Sequence, residues 1–179
     1  ILLSVYLVFS ANSQVNYVWN GSSSNSWNTS SNWSPSGIPG SVDNVTVVTG
    51  ANPCNLTVNT SISNITISSG SLNLAGFTLN ASGNAVFTSG SVANGTLSVT
   101  SSTNGVATLV NTTFSTNATL GIVTGAITIN GGTYGGPASF EQTGGVQTTG
   151  TGNATFNGVT IITNSGSSNL RTNGNITFN

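Results

Sequence analysis

The sequence predicts an all-β fold, a parallel β-solenoid, and three observations lead to this prediction. Short runs that alternate apolar and polar residues recur from about residue 44 onward, as in strands with one buried face. A pattern returns about every 20 residues, which is a usual length for one solenoid coil. Lys and Met, which favour helices, are absent, and no stretch has a convincing helical period.

Residues 1–13 predict the tail of a secretory signal peptide. Ile1 to Phe9 is an apolar run that is too short for a transmembrane helix. Ala11 and Ser13 are small residues at the −3 and −1 positions of a cleavage site before Gln14. An ordinary first strand is the alternative, because Ile, Val, Tyr and Phe all suit one. Since neither an initiator Met nor a charged start precedes the run, we expect the chain to be clipped there.

Residues 14–43 contain all three Trp residues and differ in composition from the rest of the chain. A solenoid needs a cap over its open end, and an uncovered apolar coil is costly. We therefore expect Trp19, Trp27 and Trp33 to cover the first coil as a Trp-rich N-terminal cap. The alternative is that the same three rings form a surface that stacks against a glycan.

Residues 44–179 are expected to form the coils. Ser69-Gly70-Ser71-Leu72 returns twenty residues later as Ser89-Gly90-Ser91-Val92. A second theme, an apolar residue followed by Asn, small residues and another apolar residue, occurs at Asn94, Asn111, Asn130 and Asn157. About 20 residues per coil gives six or seven coils, and a stack roughly 30 Å tall at about 4.8 Å per coil.

Glycine and asparagine suit the corners of such a coil because they tolerate positive φ. Leu72 and Leu74 are expected to point inward, which explains how few apolar residues can fill a narrow interior. Equivalent Asn, Ser and Thr side chains of stacked coils are expected to form hydrogen-bonded ladders.

An antiparallel β-sandwich is the alternative fold, since pairs such as Asn94-Gly95 and Asn130-Gly131 also suit tight hairpin turns. The near-constant period and the very short strands favour the solenoid. Crossovers between parallel strands are right-handed as a rule, so we expect a right-handed β-helix. The strand-like run that ends at Asn179 has no cap after it, so we expect the coils to be truncated there and the natural chain to continue.

Charge limits the chemistry that the chain can perform. Asp43, Glu141 and Arg171 are the only residues of the types Asp, Glu, Lys, Arg and His, and the net charge is −1. Acid–base catalysis, metal centres and phosphate binding depend on these types. We therefore expect no catalytic residue, no cofactor, no metal site and no nucleic-acid partner, and we expect the chain not to be an enzyme.

The few chemically active residues are too isolated to form a site. Asp43 and Glu141 are about five coils apart, roughly 24 Å, whereas glycosidase carboxyl groups are about 5 to 9.5 Å apart. We expect Asp43 to cap the turn before the Val45 strand, and Glu141 to be solvated. Arg171 and Tyr134 alone make only a weak case for a polysaccharide lyase site, because no second charge-neutralising group exists. The single Cys54 excludes an internal disulfide and is expected to be a partly buried structural residue.

Ice binding would need threonines ranked at regular intervals on one face. Thr149-Gly150-Thr151 is isolated in the sequence, and no ranked series is visible, which argues against this function.

Several segments together resemble a known group of proteins. They are Tyr17-Val18-Trp19-Asn20-Gly21, Trp27-Asn28, Asn32-Trp33-Ser34, Gly37-Ile38-Pro39, Asp43-Asn44-Val45-Thr46-Val47 and the stretch from Leu72 to Gly83. The cadence is similar to the N-terminal region of large secreted bacterial surface or adhesin-like proteins with parallel β-helix repeats. The resemblance covers about residues 17–90. It implies a location outside the cell or on its surface, but not a reaction, because that group includes adhesins, matrix components and carbohydrate-acting enzymes.

We therefore expect a non-catalytic, extracellular structural or adhesive β-solenoid segment of a bacterial surface or secreted protein. Its partners would be surface glycans, other cell-surface proteins and the continuation of its own chain beyond Asn179, with no membrane span. The alternative is a carbohydrate-binding region, or the non-catalytic front of a carbohydrate-active β-helix enzyme.

Overall fold

The structure is a computed structural model that describes residues 13–102, 104–144, 152–166 and 175–179. Within these ranges, all regular structure is β except one turn of 3₁₀-helix, Ser30–Asn32. The chain winds through about six coils, and each complete coil adds one strand to each of three sheets. The predicted parallel β-solenoid is confirmed and the sandwich alternative is wrong, because strands of successive coils pair in parallel. The hand of the coil stays a prediction.

Twenty strands of the described residues form the three sheets, and neighbours in each sheet follow one another along the axis of the stack. Sheet A contains β2 (Trp33–Ser34), β1 (Asn16–Trp19), β3 (Asn44–Val47), β6 (Ile65–Ile67), β9 (Ala85–Phe87), β12 (Val106–Val110) and β15 (Ala126–Asn130). Sheet B contains β4 (Cys54–Asn55), β7 (Ser71–Asn73), β10 (Ser91–Ala93), β13 (Thr113–Phe114), β16 (Gly132–Tyr134), β18 (Ala154–Phe156) and β20 (Ile176–Phe178). Sheet C contains β5 (Thr60–Ile62), β8 (Thr78–Ala81), β11 (Gly95–Thr100), β14 (Ala118–Thr124), β17 (Ala138–Gln142) and β19 (Thr160–Asn164).

The register between strands confirms the predicted period. Ser91 lies beside Ser71 and Val92 beside Leu72, so the repeated Ser-Gly-Ser segments are equivalent positions one coil apart. The Asn theme, in contrast, combines two different corners. Asn111 and Asn130 lie where the chain leaves sheet A, whereas Asn94 and Asn157 lie where it leaves sheet B. Their spacing is therefore uneven, although all of them do occupy corners.

The interior is narrow and lined by alternate residues of every strand. In β6, for example, Ile65 and Ile67 are fully buried while Thr66 between them is partly exposed. Leu72 and Leu74 both point inward as predicted, one from β7 and one from the corner that follows it. Burial of each such side chain contributes about 1.5–3 kcal/mol, which is how a chain that is only 36% hydrophobic fills a core.

Asparagine side chains form the predicted ladders at the corners. The asparagine column consists of Asn16, Asn44, Asn64 and Asn84, at the start of successive sheet A strands. Asn44 Nδ2 donates to Asn16 Oδ1 (2.6 Å), Asn64 Nδ2 to Asn44 Oδ1 (2.5 Å), and the Asn84 backbone N–H to Asn64 Oδ1 (2.6 Å). These bonds tie each coil to the next through neutral groups.

A second ladder follows sheet B, where the corner needs an unusual backbone. Asn94 and Gly95 both have positive φ, of 58° and 151°. A Cβ on Gly95 would lie 2.5 Å from the Phe77 carbonyl oxygen, so glycine is required there by both conformation and space. Asn94 Nδ2 donates to Asn73 Oδ1 (3.0 Å), and Asn117 Nδ2 donates to Asn94 Oδ1 (2.5 Å).

The N-terminal segment already takes part in the stack before residue 44. Strand β1 pairs in parallel with β3, and Ser26 forms a parallel bridge with Asn55 of sheet B. The short β2 then runs antiparallel along the outer side of β1. Residues 14–43 are therefore an incomplete first coil with one antiparallel strand at its edge.

Candidate functional site

The three tryptophans form one cluster inside the N-terminal end of the stack. Trp19, Trp27 and Trp33 are 1%, 0% and 2% exposed. The Trp33 ring centroid lies 4.9 Å from that of Trp19 and 4.7 Å from that of Trp27, both in edge-to-face geometry. Two indole N–H groups are bonded within the protein, Trp19 to the Asn52 carbonyl (2.9 Å) and Trp33 to the Trp27 carbonyl (2.8 Å).

This burial corrects the glycan-stacking interpretation of the three residues. A sugar ring that stacks on an aromatic residue needs an exposed ring face, and Trp19, Trp27 and Trp33 expose none. Their apolar rings have the size to fill the end of a narrow core, and this packing is the more favourable place for them. The sequence places these residues near the N-terminal end of the fold, but it does not show whether their rings face the interior or the solvent.

Asp43 is a structural carboxylate. One oxygen accepts the Val15 N–H (2.9 Å), the other accepts the Gly40 N–H (2.8 Å), and the Asp43 N–H donates to the Gly40 carbonyl (3.0 Å). The side chain is only 8% exposed. It therefore closes the Gly40–Asp43 turn before β3, as predicted, and holds β1 against that turn.

Glu141 lies on the outer face of β17, and its carboxylate accepts the Ser165 hydroxyl (2.8 Å). Equivalent positions on six consecutive coils, in sheet C or at the corner beside it, are occupied by Asp43, Ser63, Ser82, Thr100, Val123 and Glu141. The two carboxylates are thus five rungs apart, roughly 24 Å. This geometry does not bring them together in one site, in agreement with the expected separation.

Tyr134 and Cys54 both lie inside the coil. Burial raises the pKa of the Tyr134 phenol, which is stacked between the rings of Phe114 and Phe156. Burial likewise raises the pKa of the Cys54 thiol, so the thiolate is disfavoured. Cys54 is fully buried rather than partly buried, and neither group is placed to react with a ligand. Arg171, Thr149-Gly150-Thr151 and the predicted signal segment up to residue 12 lie outside the described residues.

A feature that the sequence interpretation missed runs along the outside of sheet B. Ser71, Ser91, Thr113, Thr133, Thr155 and Thr177 occupy equivalent positions of six consecutive rungs. We call these residues the hydroxyl column. Ser91 Oγ donates to Ser71 Oγ (3.0 Å), whereas the four threonine hydroxyls make no hydrogen bond to any described residue. Four neighbouring hydroxyls are therefore available to a ligand.

Stacked rings support the hydroxyl column from inside. Each of its threonines precedes an aromatic residue. Phe114, Tyr134 and Phe156 are buried in the core, whereas Phe178 stacks on Phe156 and is 59% exposed. Successive ring centroids are 5.5, 4.6 and 5.4 Å apart, and the rings are tilted by no more than 20°. A repeated Thr-aromatic pair at intervals of 20 to 22 residues was the sequence signal for this face.

The hydroxyl column also revises the argument about ranked threonines. A ranked series does exist, so the interpretation that the sequence contains none was wrong. The neighbouring column, however, contains Ser115, Gly135, Asn157 and Asn179 rather than a second row of threonines. The face is thus one hydroxyl wide, and it does not form the broad threonine array that ice binding would need.

A shallow groove follows the outside of sheet C. One part, of about 410 Å³, is lined by Ser61, Asn80, Ser98 and Thr100 among others. The adjoining part, of about 230 Å³, continues from Ser98 past Gly121 to Ile161, where it becomes apolar. Small side chains along the middle of the sheet create this depression, since Cβ at Gly121 would meet no atom within 4 Å.

In the part of the chain that the structure describes, no group of three or more His, Cys, Asp or Glu residues is arranged to hold a metal ion. Nor do these residues include a helix with the length and hydropathy needed to cross a bilayer. Comparison with protein-family models, with curated proteins and with solved structures finds no match. The resemblance to adhesin-like proteins therefore stays a prediction from the sequence.

Proposed function

We propose that this chain is a non-catalytic structural or adhesive segment of an extracellular protein, one that a bacterium secretes or displays on its surface. The observation that carries the proposal is the hydroxyl column, a straight row of neutral hydrogen-bonding groups on a rigid support. The absence of charge from this column suits a neutral partner such as a surface glycan.

Stiffness supports the structural part of the proposal. Three parallel sheets share one axis, and each coil contacts its neighbours through main-chain bonds, asparagine ladders and interior packing. Because each coil depends on the next, the stack resists bending and holds its outer faces at fixed spacing. A rigid stack of this kind would hold the structures attached at its two ends apart.

Neutral hydrogen bonding supports the adhesive part. Interactions that involve little charge are screened only weakly by salt, so adhesion through the hydroxyl column would persist in sea water or in body fluids. Low charge also means that partners are not steered over long distances, so binding would be slow to form. These properties suit a lasting contact between surfaces.

The second candidate is a carbohydrate-binding region or the non-catalytic front of a carbohydrate-active enzyme. The groove on sheet C favours it, because one part combines hydroxyl and amide groups with apolar surface and the other is apolar, and a sugar ring likewise has polar edges and apolar faces. Both candidates involve glycans, and they differ in whether the hydroxyl column or the groove makes the contact.

A pair of double variants separates them. Thr133→Val with Thr155→Val removes two hydroxyls of the hydroxyl column while keeping side-chain shape. Thr108→Val with Thr128→Val is the matched control on the outside of sheet A, where these two residues are also register partners. Binding to immobilised neutral polysaccharides and to bacterial envelope preparations is then measured at low and high salt.

We expect the sheet B variant to bind roughly 30-fold more weakly, from two lost hydrogen bonds of about 1 kcal/mol each. The control should bind as the parent chain does, and high salt should change little. If the two double variants bind equally well, the hydroxyl column does not make the contact, and this part of the proposal is wrong. If Gly121→Trp, which fills the groove, abolishes binding instead, the second candidate is favoured.

A further inference from the structure

Five Asn-Gly pairs in the described residues can undergo the same reaction with their own backbone. They are Asn20-Gly21, Asn94-Gly95, Asn104-Gly105, Asn130-Gly131 and Asn157-Gly158. The glycine nitrogen attacks the asparagine Cγ, so that an N–Cγ bond forms and the Cγ–Nδ2 bond breaks. The Nδ2 group leaves as ammonia with the glycine amide proton, and a cyclic imide remains. Water then opens the ring to aspartate or isoaspartate, without any redox change.

Close packing does not distinguish these five pairs. A Cβ added at any of the five glycines would lie within 3.0 Å of another atom, so all of them sit in tight surroundings. Hydrogen bonding of the two reacting groups does distinguish them, since a bonded amide must first be released before the ring can close.

Asn94-Gly95 is held at every reacting group. Asn94 Nδ2 donates to Asn73, Asn94 Oδ1 accepts from Asn117, and the Gly95 N–H donates to the Asn117 carbonyl (3.1 Å). The attacking nitrogen and the attacked amide are therefore both fixed by the ladder of sheet B.

Of three other pairs, two have the attacking glycine nitrogen held, and the third has a hydrogen bond on the asparagine side chain. The Gly21 N–H donates to the Asn32 carbonyl (3.3 Å), and the Gly105 N–H donates to the Ser102 carbonyl (2.8 Å). Asn130 Oδ1 accepts the Gly152 N–H (2.5 Å). The fold thus restrains these pairs to different degrees.

Asn157-Gly158 differs from Asn20-Gly21, Asn94-Gly95 and Asn104-Gly105, in which the glycine N–H is held by a hydrogen bond. The Asn157 side chain is exposed, and its one hydrogen bond to a described residue is the one that Oδ1 accepts from Asn179 Nδ2 (2.7 Å). The Gly158 N–H donates to no described residue, so the attacking nitrogen is free. The leaving Nδ2 group is free as well.

We propose that Asn157 is a site of spontaneous deamidation, and that the fold protects Asn94 from the same reaction. The product would place a carboxylate at the corner between β18 and β19. In the isoaspartate form an extra carbon enters the main chain directly after Phe156. The spacing between Thr155 and the next strand of sheet C would then change, which makes this corner a marker of the protein's age.

Peptide mapping of the folded chain tests this inference. The chain is incubated at mildly alkaline pH and then digested with pepsin, because the acidic digest stops further reaction and the single arginine gives trypsin almost no cleavage sites. Mass spectrometry measures aspartate and isoaspartate at each pair. We expect Asn157 to react roughly 30 times faster than Asn94, because the Asn94 pair must first lose three hydrogen bonds and the Asn157 pair only one, at about 1 kcal/mol each.

Two controls relate the rates to the fold. In concentrated urea the two pairs should react at similar rates, since both have the sequence Asn-Gly. The Asn179→Ala variant, which removes the single bond on Asn157, should accelerate reaction at Asn157 and leave Asn94 unchanged. Equal rates at Asn94 and Asn157 in the folded chain would overturn the inference. A faster reaction at Asn104 than at Asn157 would overturn it as well.

Discussion

Replacing Asn64 should show how much the asparagine column contributes to stability. Asn64 is a central member: its Nδ2 donates to Asn44 Oδ1 (2.5 Å) and its Oδ1 accepts the Asn84 N–H (2.6 Å). The Asn64→Ala variant loses both bonds and leaves an acceptor on one coil and a donor on the next without partners. Its fold should otherwise persist, because Ile65 and Ile67 beside it still fill the core.

The expected loss follows from the number and burial of these bonds. Each neutral hydrogen bond contributes about 1 kcal/mol net, and an unpaired group left in a partly buried position adds to the cost. Asn64 is partly buried, so water replaces some of the lost partners. We therefore expect the free energy of unfolding to fall by about 2 kcal/mol, within the usual range of about 1 to 3 kcal/mol for such changes.

The Asn64→Asp variant adds a dependence on pH that the alanine variant lacks. A carboxylate still accepts the Asn84 N–H, but it cannot donate to Asn44 Oδ1 and instead faces that oxygen. The protonated acid can donate, so the folded state favours the proton and the pKa of the introduced carboxyl rises above its ordinary value of about 3.9. The variant should therefore gain stability as pH falls through this raised pKa.

Urea unfolding, followed by the fluorescence of the buried tryptophans and by circular dichroism, measures both effects. Asn80→Asp is the matched control, because Asn80 is an exposed residue of β8 outside the asparagine column. A change of less than about 0.5 kcal/mol for Asn64→Ala would be an ordinary surface effect and would refute the reasoning. The reasoning would also be refuted if the free energy of unfolding depended on pH in the same way in Asn64→Asp and Asn80→Asp.

Three further predictions concern the core and the backbone. Phe156→Ala should lower the free energy of unfolding by about 3–5 kcal/mol in urea titrations, because Phe156 is fully buried. Phe178→Ala should lower the free energy of unfolding clearly less, because Phe178 is 59% exposed. Equal losses for the two variants would contradict the argument from burial. A thiol reagent should label Cys54 only after unfolding, since burial raises the pKa of the thiol; rapid labelling of the folded chain would show that it is accessible. Gly121→Thr should stabilise the chain by roughly 0.5–1 kcal/mol because its Cβ has open space in a strand, whereas Gly95→Ala should destabilise it; melting temperatures that move in the same direction would contradict this.

Much of the fold could be predicted because its determinants are local. Alternation in segments such as Ile65-Thr66-Ile67 predicts strands, and the recurrence of Ser-Gly-Ser twenty residues apart predicts their stacking. The role of Asp43 could also be predicted, since a carboxylate before a strand commonly accepts nearby backbone N–H groups.

The candidate site was not predicted, because it is assembled from residues of different coils. Thr113 and Thr133 each precede an aromatic residue, but only the register between β13 and β16 shows that they are neighbours. Insertions that change the coil length from 20 to 22 residues hide such a column from inspection of the sequence.

The sequence by itself determined that this protein is a charge-poor stack of short strands with glycine and asparagine at its corners. Alternation, turn residues and missing ionisable side chains are properties of single positions or near neighbours, so they can be read along the chain. Only the tertiary structure decided which side chains face inward and which residues become neighbours. It buried the three tryptophans and aligned the hydroxyl column, because both outcomes depend on packing and register between residues far apart in the chain.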